Sequence, residues 1–285
     1  MKLALVVLTY NRSEALRPVL ASLARQCGPD EEIVVADDGS RPEHVAAVRD
    51  THWGFRCEAR HVWHPDVGFT AASARNMGIL QTTAPYVVFL DGDCVPALDF
   101  VAQHRRLARL SCFVNGSRVL LSSKLTRQVE QGLDIQGWTA LDWWRARLSG
   151  DANKLTHLLR WPASWRQQDS RFHWKGIRSC NMAVWREDLI AVDGFDESFN
   201  GWGHEDADLV LRLHHRGVSR VNGFAATEVF HLWHQEHPRA NEEKNRARVH
   251  ERVLSGQIRS DIGLQARQTT AANSPESMPE CTLLS

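Results

Sequence analysis

The sequence predicts an α/β fold with a mostly parallel sheet and helices on both of its faces. Short apolar runs alternate with segments of helical periodicity in the order β-α-β-α-β, which is the pattern of such folds. The runs are continuously apolar rather than alternating, as expected for parallel strands buried on both faces. A chain of 285 residues is also long enough to bury a substantial core.

The clearest elements lie in the first half of the chain. Residues 3–8 are a continuous apolar run and predict the first strand. Apolar residues at helical spacing then follow at Leu16, Val19, Leu20 and Leu23. Ser13 is expected to cap this helix. The other elements predicted in this half are strands at 33–36, 58–63 and 86–90 and a loop and helix over 68–80.

The pattern is weaker beyond residue 115. Residues 118–174 are rich in Trp, Arg, Gln and Ser, and they predict helices and a mobile loop. Regularity returns with a strand at 181–185, a helix start at 186–189 and a helix at 206–216. From Gln265 onward the Thr, Asn, Ser and Pro content predicts a disordered tail.

Composition excludes several classes of protein. Lys+Arg and Asp+Glu are equal at 34 each, and no basic stripe is present, so we do not expect a nucleic-acid binder. The apolar runs are too short to span a bilayer or to form a signal peptide, so we expect a cytoplasmic protein. The six Cys show no CxxC spacing, which favours reduced, buried thiols over a zinc knuckle or a redox pair.

The chain has 11 Trp against only 2 Tyr. Core packing is the expected role for most of the Trp in the second half. Trp rings also stack on the apolar faces of sugars, and Trp202 lies among several acids. We therefore expect Trp202 to contact a ligand.

Polar residues follow three predicted strands, at Thr9–Asn11, Asp37-Asp38 and Asp91-Gly92-Asp93. Ligands of open α/β sheets bind at the carboxyl ends of the strands. The acids after the fourth strand suit Mg²⁺ or Mn²⁺ and leave positions for phosphate. An Asp-Gly pair is also common in turns. Two neighbouring acidic strand ends, however, need a cation or a base N–H partner, which favours a site.

A second acidic cluster lies at residues 201–208, GWGHEDAD. The helix dipole favours acids at a helix N-terminus, which is the structural explanation. The functional explanation is a general base that removes a proton from an attacking hydroxyl. Downstream, His231, His234 and His237 can complete an oxygen-rich metal shell or simply form a His-lined surface.

These motifs resemble those of family 2 glycosyltransferases of the GT-A fold, which has a Rossmann-like sheet. The matching segments are VLTYNR at 7–12, VADDGS at 35–40, ARNMG at 74–78 and FLDGD at 89–93. Residues 194–197 and 201–206 resemble the galactosyltransferase and chondroitin-polymerase type of second half, although His204 stands where galactosyltransferases carry Gly. The resemblance implies a nucleotide-sugar-binding half (1–115), an acceptor-binding and catalytic half of the same domain (116–240), and a C-terminal helix and tail (241–285).

The resemblance also implies how the donor is bound. The nucleoside would contact Thr9, Tyr10, Asn11, Asp37 and Asp38. Arg75 would approach the diphosphate or ribose, and Asp91 with Gly92 would touch the ribose or the metal. Asp93 would ligate Mn²⁺ or Mg²⁺ together with His234, or with His231 in its place.

The implied reaction is displacement with inversion, in which Asp206 is the base and Trp202 and Glu205 contact the sugars. A UDP-sugar would donate to a glycan or glycolipid hydroxyl of polysaccharide or lipopolysaccharide type. The protein would associate peripherally with the inner face of a membrane. Residues 118–174 match no family pattern and leave the acceptor open.

Two alternatives belong to other classes. A nucleotidyltransferase would need a Gly-rich, Lys-bearing loop after the first strand, and residues 8–12 offer none. A catalytically inactive sugar-binding protein would be expected to lack Asp93 or Asp206, and both are present.

Overall fold

The computed structural model describes residues 1–174, 176–199, 201, 203–235, 241–273 and 279–285. The strands are β1 (Leu3–Thr9), β2 (Glu31–Asp37), β3 (Glu58–Trp63), β4 (Tyr86–Asp91), β5 (Cys94–Pro96), β6 (Cys112–Asn115), β7 (Ser117–Leu120), β8 (Gln168–Asp169), β9 (Asn181–Trp185), β10 (Ser219–Asn222), β11 (Glu228–His231) and β12 (Glu280–Leu283). The helices are α1 (Ser13–Gln26), α2 (Pro42–Arg49), α3 (Ala71–Leu80), α4 (Phe100–Leu107), α5 (Ser123–Glu130), α6 (Ala140–Leu148), α7 (Arg186–Ala191), α8 (Glu205–His215), α9 (Glu242–Ser255) and α10 (Leu264–Asn273).

Nine strands of the described residues form one sheet, in the order β12-β3-β2-β1-β4-β9-β6-β10-β8. Strands β3, β2, β1 and β4 are parallel, whereas β9 is antiparallel to β4 and β6. Strands β5, β11 and β7 form a small second sheet. The predicted α/β fold with a mostly parallel sheet is confirmed.

The sheet core explains why the first half was predictable. Strand β2 is buried along its whole length, and β1 is buried except at Leu8. Helix α1 buries Leu16, Leu20 and Leu23 at helical spacing. In α3, Gly78 lies directly on β1, where a Cβ atom would overlap the side chain of Val6. Continuous burial on both faces is what requires the continuous apolar runs.

Two expectations about local structure were wrong. Ser13 does not cap α1: it is the first helical residue, and its hydroxyl lies 2.9 Å from His44 Nδ1. The tail from Gln265 onward includes helix α10 and strand β12. Strand β12 pairs with β3 and so covers a sheet edge that would otherwise be open. Only a distant partner orders this strand, so local composition could not show it.

Trp residues of the second half are less buried than expected. Trp143 is buried and stacks on Phe230, with 4.4 Å between ring centroids. More than half of the surface is exposed in Trp144, Trp161, Trp165 and Trp233. Because Trp138, Trp174 and Trp185 also pack against the core, core packing explains part of the high Trp content but not all of it. Among the described residues, no helix combines the length and apolarity needed to cross a membrane.

Candidate active site

The carboxyl ends of β1, β2 and β4 meet at one edge of the sheet. The register pairs Thr9 with Asp37 on one side and Leu8 with Asp91 on the other. The Gly92 N–H donates to the Leu8 carbonyl over 2.7 Å. A Cβ atom at Gly92 would lie 2.8 Å from that carbonyl oxygen, so a larger residue would displace the Asp91–Asp93 turn.

The loop after β1 is tied to the loop after β2 through Asn11. The Asn11 N–H donates to Ser40 Oγ over 2.8 Å, and the Arg41 N–H donates to Asn11 Oδ1 over 2.8 Å. Asn11 has a left-handed backbone (φ +50°), which Asn adopts more readily than most residues. Tyr10 beside it is 38 % exposed and donates its hydroxyl to Asp66. These contacts place Thr9, Tyr10 and Asn11 along one wall of the strand-end site.

Asp37 and Asp38 are both buried, and each lies beside a His ring. Asp37 is fully buried, with Oδ2 lying 2.9 Å from His61 Nε2 and Oδ1 accepting the Ser40 N–H. Asp38 Oδ1 lies 3.2 Å from His64 Nε2. Neither His was among the predicted site residues, although both lie near the end of β3, at the same edge as the acids.

Asp93 lies among side chains of the types that can ligate a metal ion. One ligand atom each from Asp93, Cys94 and His231 lies within 4.8 Å of the others. His234 Nε2 is 3.4 Å from Asp93 Oδ2, and His231 Nε2 is 3.8 Å from Oδ1. The pairing of β5 with β11 brings these segments together. Burial lowers the pKa of His231 and favours neutral imidazole, the form that binds metals.

Arg12 contacts the same carboxylate. Its Nη1 lies 3.1 Å from Asp93 Oδ2, and its Nη2 lies 2.9 Å from Glu130 Oε1. A cation thus already faces Asp93 in the structure, as a negative strand end requires. Arg12 belongs to the VLTYNR motif but was not among the predicted site residues. A cleft of about 490 Å³ adjoins this contact and is lined by Arg12, Ser123, Thr126, Arg127, Glu130, Trp233, His234 and Gln235.

The acids of the second cluster open helix α8. Asp206 Oδ1 accepts the Ala207 N–H over 2.7 Å, and Oδ2 accepts the Ser179 N–H over 3.3 Å. Removal of water by the surrounding protein raises the pKa of Asp206 to about 7, and the charge of Glu205 acts in the same direction. A carboxylate with this pKa can exchange a proton near neutral pH, which is what a general base needs.

Arg75 joins the two acidic clusters. Its side chain is only 4 % exposed and donates from Nη2 to Asp91 Oδ1 over 3.0 Å and from Nη1 to Glu205 Oε1 over 3.3 Å. Asp91, Glu205 and Asp206 together raise the pKa of Arg75 despite its burial. Arg75 therefore holds the end of β4 and the start of α8 in one site.

His204 immediately precedes α8 and has a left-handed backbone, with φ +73°. Glycine adopts this conformation without strain, whereas a bulky residue does so rarely. The ring of His204 lies 5.5 Å from the ring of Trp174, measured between centroids. Galactosyltransferase-type sequences are expected to carry Gly at this position, which suits the left-handed backbone. His204 adopts the same left-handed backbone here. Trp202 and His237 lie outside the described residues.

Two sequence-family models match the chain. The model for glycosyl transferase family 2 matches residues 4–126, and the model for the N-terminal domain of galactosyltransferase matches residues 162–236. Validoxylamine A glucosyltransferase from Streptomyces hygroscopicus subsp. jinggangensis is 32% identical over 229 residues, 76% of this chain and 52% of that protein. Chondroitin synthase from Escherichia coli is 26% identical over 266 residues, 86% of this chain and 36% of that protein. The chain thus spans about half, or less, of the length of these relatives.

Solved structures share the fold at low sequence identity. Staphylococcus aureus TarS 1–349 in complex with UDP has a TM-score of 0.58 and 13% identity, over 96% of this chain and 70% of that chain. The mannosyltransferase PcManGT from Pyrobaculum calidifontis, in complex with GDP-Man and Mn²⁺, has a TM-score of 0.53 and 17% identity, over 96% and 75%. These similarities show the GT-A fold.

Proposed function

The chain belongs to the family 2 glycosyltransferases of the GT-A fold, and we propose that it transfers a sugar from a UDP-sugar to a glycan hydroxyl with inversion. The observation that carries this proposal is the Arg75 link between Asp91 and Glu205, because it joins the donor-side acid Asp91 to the residue next to the proposed base, Asp206. The complexes of TarS with UDP and with UDP-GlcNAc support a UDP-sugar as the donor.

We assign the donor to the strand-end edge. Thr9, Tyr10 and Asn11 would form the nucleoside wall, and Asp38 with Asp37 behind it would face the uracil. Asp91 and Gly92 would meet the ribose. Arg75 is a positioning residue in this scheme, because its guanidinium is already engaged by Asp91 and Glu205. Glu205 and Trp202 would contact the sugars.

A divalent cation fits the group around Asp93. Carboxylate oxygens together with neutral imidazole suit Mn²⁺. The carboxylate oxygens alone also suit Mg²⁺. Asp93 and His234 would hold the ion, and His231 is placed to join or replace His234. When bound, the ion supplies positive charge against the leaving diphosphate. Arg12 would turn from Asp93 toward Glu130 or the phosphates.

Asp206 would act on the acceptor. It takes the proton of the acceptor hydroxyl, whose oxygen attacks the anomeric carbon from the face opposite the diphosphate. The bond from the anomeric carbon to the diphosphate oxygen breaks, and its electron pair leaves with UDP. The N–H groups of Ser179 and Ala207 keep the Asp206 carboxylate oriented during this step.

The pH dependence of turnover follows from the raised pKa of Asp206. Only the ionised carboxylate accepts a proton, so kcat should fall about tenfold per unit as pH decreases below about 7. The charge of Glu205 favours the protonated form of Asp206, whereas the charge of Arg75 favours the ionised form. The measurement is the initial rate from pH 5.5 to 8.5 at saturating UDP-sugar and Mn²⁺. A rate that does not change with pH across this range would exclude Asp206 as the base.

A donor screen tests the activity itself. The protein is incubated with a panel of UDP-sugars, with Mn²⁺ or EDTA and with or without glycan acceptors, and released UDP is measured. We expect Mn²⁺-dependent release with at least one donor, increased by an acceptor. Absence of release with every donor would instead favour a catalytically inactive binding protein.

We propose in addition that the protein works in the cytoplasm at the inner face of a membrane. Helix α6 supports this, because Leu141, Trp144 and Leu148 are 58%, 55% and 83% exposed and lie on one side of the helix. Arg145 and Arg147 flank this apolar stripe. An apolar stripe with a Trp and flanking cations is the pattern of a helix that lies on an anionic lipid surface.

A vesicle assay tests this surface. We expect sedimentation with vesicles containing phosphatidylglycerol and little with pure phosphatidylcholine. Trp144→Glu combined with Leu148→Glu should reduce binding at least about tenfold, because two apolar side chains are lost from the lipid contact. Leu110 is 71% exposed and lies outside α6, so Leu110→Glu is the control for adding negative charge elsewhere on the surface. Equal sedimentation of both variants with wild type would contradict the assignment.

A further inference from the structure

The two carboxylate oxygens of Asp93 face different side chains. Oδ1 lies 3.6 Å from Cys94 Sγ and 3.8 Å from His231 Nε2. Oδ2 lies 3.4 Å from His234 Nε2 and 3.1 Å from Arg12 Nη1. We call Asp93 Oδ1, Cys94 and His231 the thiol set, and Asp93 Oδ2 with His234 the outer set. The proposed function gives the Cys94 thiol no role.

The pairing of β5 with β11 builds the thiol set. Cys94 and His231 are directly opposite each other in the antiparallel register, so their side chains project from the same face of the small sheet. The Leu232 N–H donates to the Asp93 carbonyl over 2.8 Å, which fixes the next pair of residues along the two strands. Paired strands position side chains more precisely than loops do, as a metal site requires.

The spacing of the thiol set suits a four-coordinate divalent cation. Zn²⁺ binds oxygen and nitrogen at about 2.0–2.2 Å and sulfur at about 2.3 Å, so the ligand atoms of a tetrahedral site lie about 3.4–3.6 Å apart. The separations from Asp93 Oδ1, 3.6 Å to the sulfur and 3.8 Å to the nitrogen, are close to that range. All three ligand atoms lie within 4.8 Å of one another. The side chains of Asp93 and His231 are 16% and 13% exposed, which leaves a path for an ion.

The ligand types of the thiol set discriminate between cations. Mn²⁺ and Mg²⁺ favour oxygen ligands, whereas a thiolate together with an imidazole favours Zn²⁺ and similar ions. Cys94 is fully buried, and burial raises the pKa of its thiol, so the thiol keeps its proton when no ion is bound. Only a cation that binds sulfur strongly is expected to displace this proton. The thiol set should therefore bind Zn²⁺ in preference to Mn²⁺.

We propose that Asp93 Oδ1, Cys94 and His231 bind Zn²⁺ through a thiolate, as an alternative to Mn²⁺ at the outer set. This inference rests on the proposed function only for the outer Mn²⁺, because Zn²⁺ binding needs neither a donor nor turnover. One carboxylate serves both ions, so Zn²⁺ should weaken the binding of Mn²⁺. Zn²⁺ should therefore inhibit any transfer that depends on Mn²⁺.

Co²⁺ is the spectroscopic probe for the thiolate. The parent protein for this test carries Cys57→Ser and Cys281→Ser, which remove the two cysteines that are not buried. Titration with Co²⁺ in the absence of UDP should give a sulfur-to-cobalt charge-transfer band in the near ultraviolet, with the strong visible bands of four-coordinate Co²⁺. Addition of Zn²⁺ should displace Co²⁺ and remove these bands, and competition between the two ions gives the affinity for Zn²⁺.

Cys94→Ser in this parent should abolish the charge-transfer band. The affinity for Zn²⁺ should fall by more than about tenfold, because even residues that only hydrogen-bond to metal ligands contribute about 10–100-fold. The affinity for Mn²⁺, measured by electron paramagnetic resonance, should stay close to that of the parent. Cys27→Ser is the matched control, because Cys27 is also fully buried but follows α1, and it should leave the band intact. Circular dichroism confirms that each variant is folded.

Three results would overturn the proposal. The first is the absence of a charge-transfer band in the parent protein, and the second is a band that persists in Cys94→Ser. The third is an equal loss of Zn²⁺ and Mn²⁺ affinity in Cys94→Ser, because the thiol would then not discriminate between the two ions.

The outcome is separable from that of the proposed function. A protein that shows the charge-transfer band but releases no UDP from any donor would retain the zinc site and lose the transferase assignment. A protein that releases UDP with Mn²⁺ but shows no such band would retain the transferase assignment and lose the zinc site.

Discussion

Asp206→Asn should lower kcat for sugar transfer by about 10²–10⁴-fold, the usual contribution of a general base. Asn has nearly the same shape but only one acceptor oxygen, so it can keep one of the N–H bonds from Ser179 and Ala207, and it cannot take a proton at neutral pH. Binding of UDP with Mn²⁺ should be unchanged, because the donor is assigned to β1, β2 and β4. Initial rates and calorimetry measure the two effects separately.

Stability should distinguish this residue from its neighbour Asp208. A carboxyl whose pKa is raised on folding contributes stability at low pH that is lost as pH rises through about 7. At pH 8, Asp206→Asn removes the unfavourable ionised carboxylate, which offsets the loss of one N–H acceptor, so Tm should stay close to that of wild type. Asp208 is fully buried between Arg212 and Arg252. Asp208→Asn should therefore lower the free energy of unfolding by about 3–5 kcal/mol. An Asp206→Asn variant with the wild-type rate would show that the base assignment is wrong.

Asp93→Ala should abolish Mn²⁺-dependent activity and weaken Mn²⁺ binding in the presence of UDP. The affinity for Mn²⁺ should fall by more than about 100-fold, because even residues that only hydrogen-bond to metal ligands contribute about 10–100-fold. Asp93 is the only acid that contacts both His231 and His234 within the described ranges, so no other described carboxylate can take its place. Free Mn²⁺ measured by electron paramagnetic resonance gives the affinity directly.

Glu130→Gln is the control for the Asp93 variant. Glu130 shares Arg12 with Asp93 but is not in contact with either His in the structure. Its loss should leave Mn²⁺ affinity close to that of wild type. Separate His231→Asn and His234→Asn variants then show which imidazole completes the site. Unchanged Mn²⁺ affinity in Asp93→Ala would contradict the metal assignment.

Local sequence patterns predicted much of the fold because the central strands are buried on both faces. Residues 58–63 were predicted as a strand and form β3, and the predicted helix at 206–216 corresponds closely to α8. The carboxyl ends of parallel strands must share an edge, so the proximity of Asp37 and Asp91 to the end of β1 followed from the strand assignments alone.

Contacts between distant segments could not be predicted in the same way. Arg75 and Glu205 are 130 residues apart, and nothing near either one indicates the other. Ser179 contributes only its backbone N–H to Asp206, which no side-chain pattern records. Strand β12 depends on β3, more than 200 residues earlier in the chain.

The anomeric configuration of the product tests the central claim most directly. Transfer from an α-linked UDP-sugar is followed by proton nuclear magnetic resonance, with an acceptor that increases UDP release. Attack by a hydroxyl deprotonated at Asp206, opposite the departing diphosphate, predicts a β-linked product that is absent with Asp206→Asn. An α-linked product would contradict single displacement at this site.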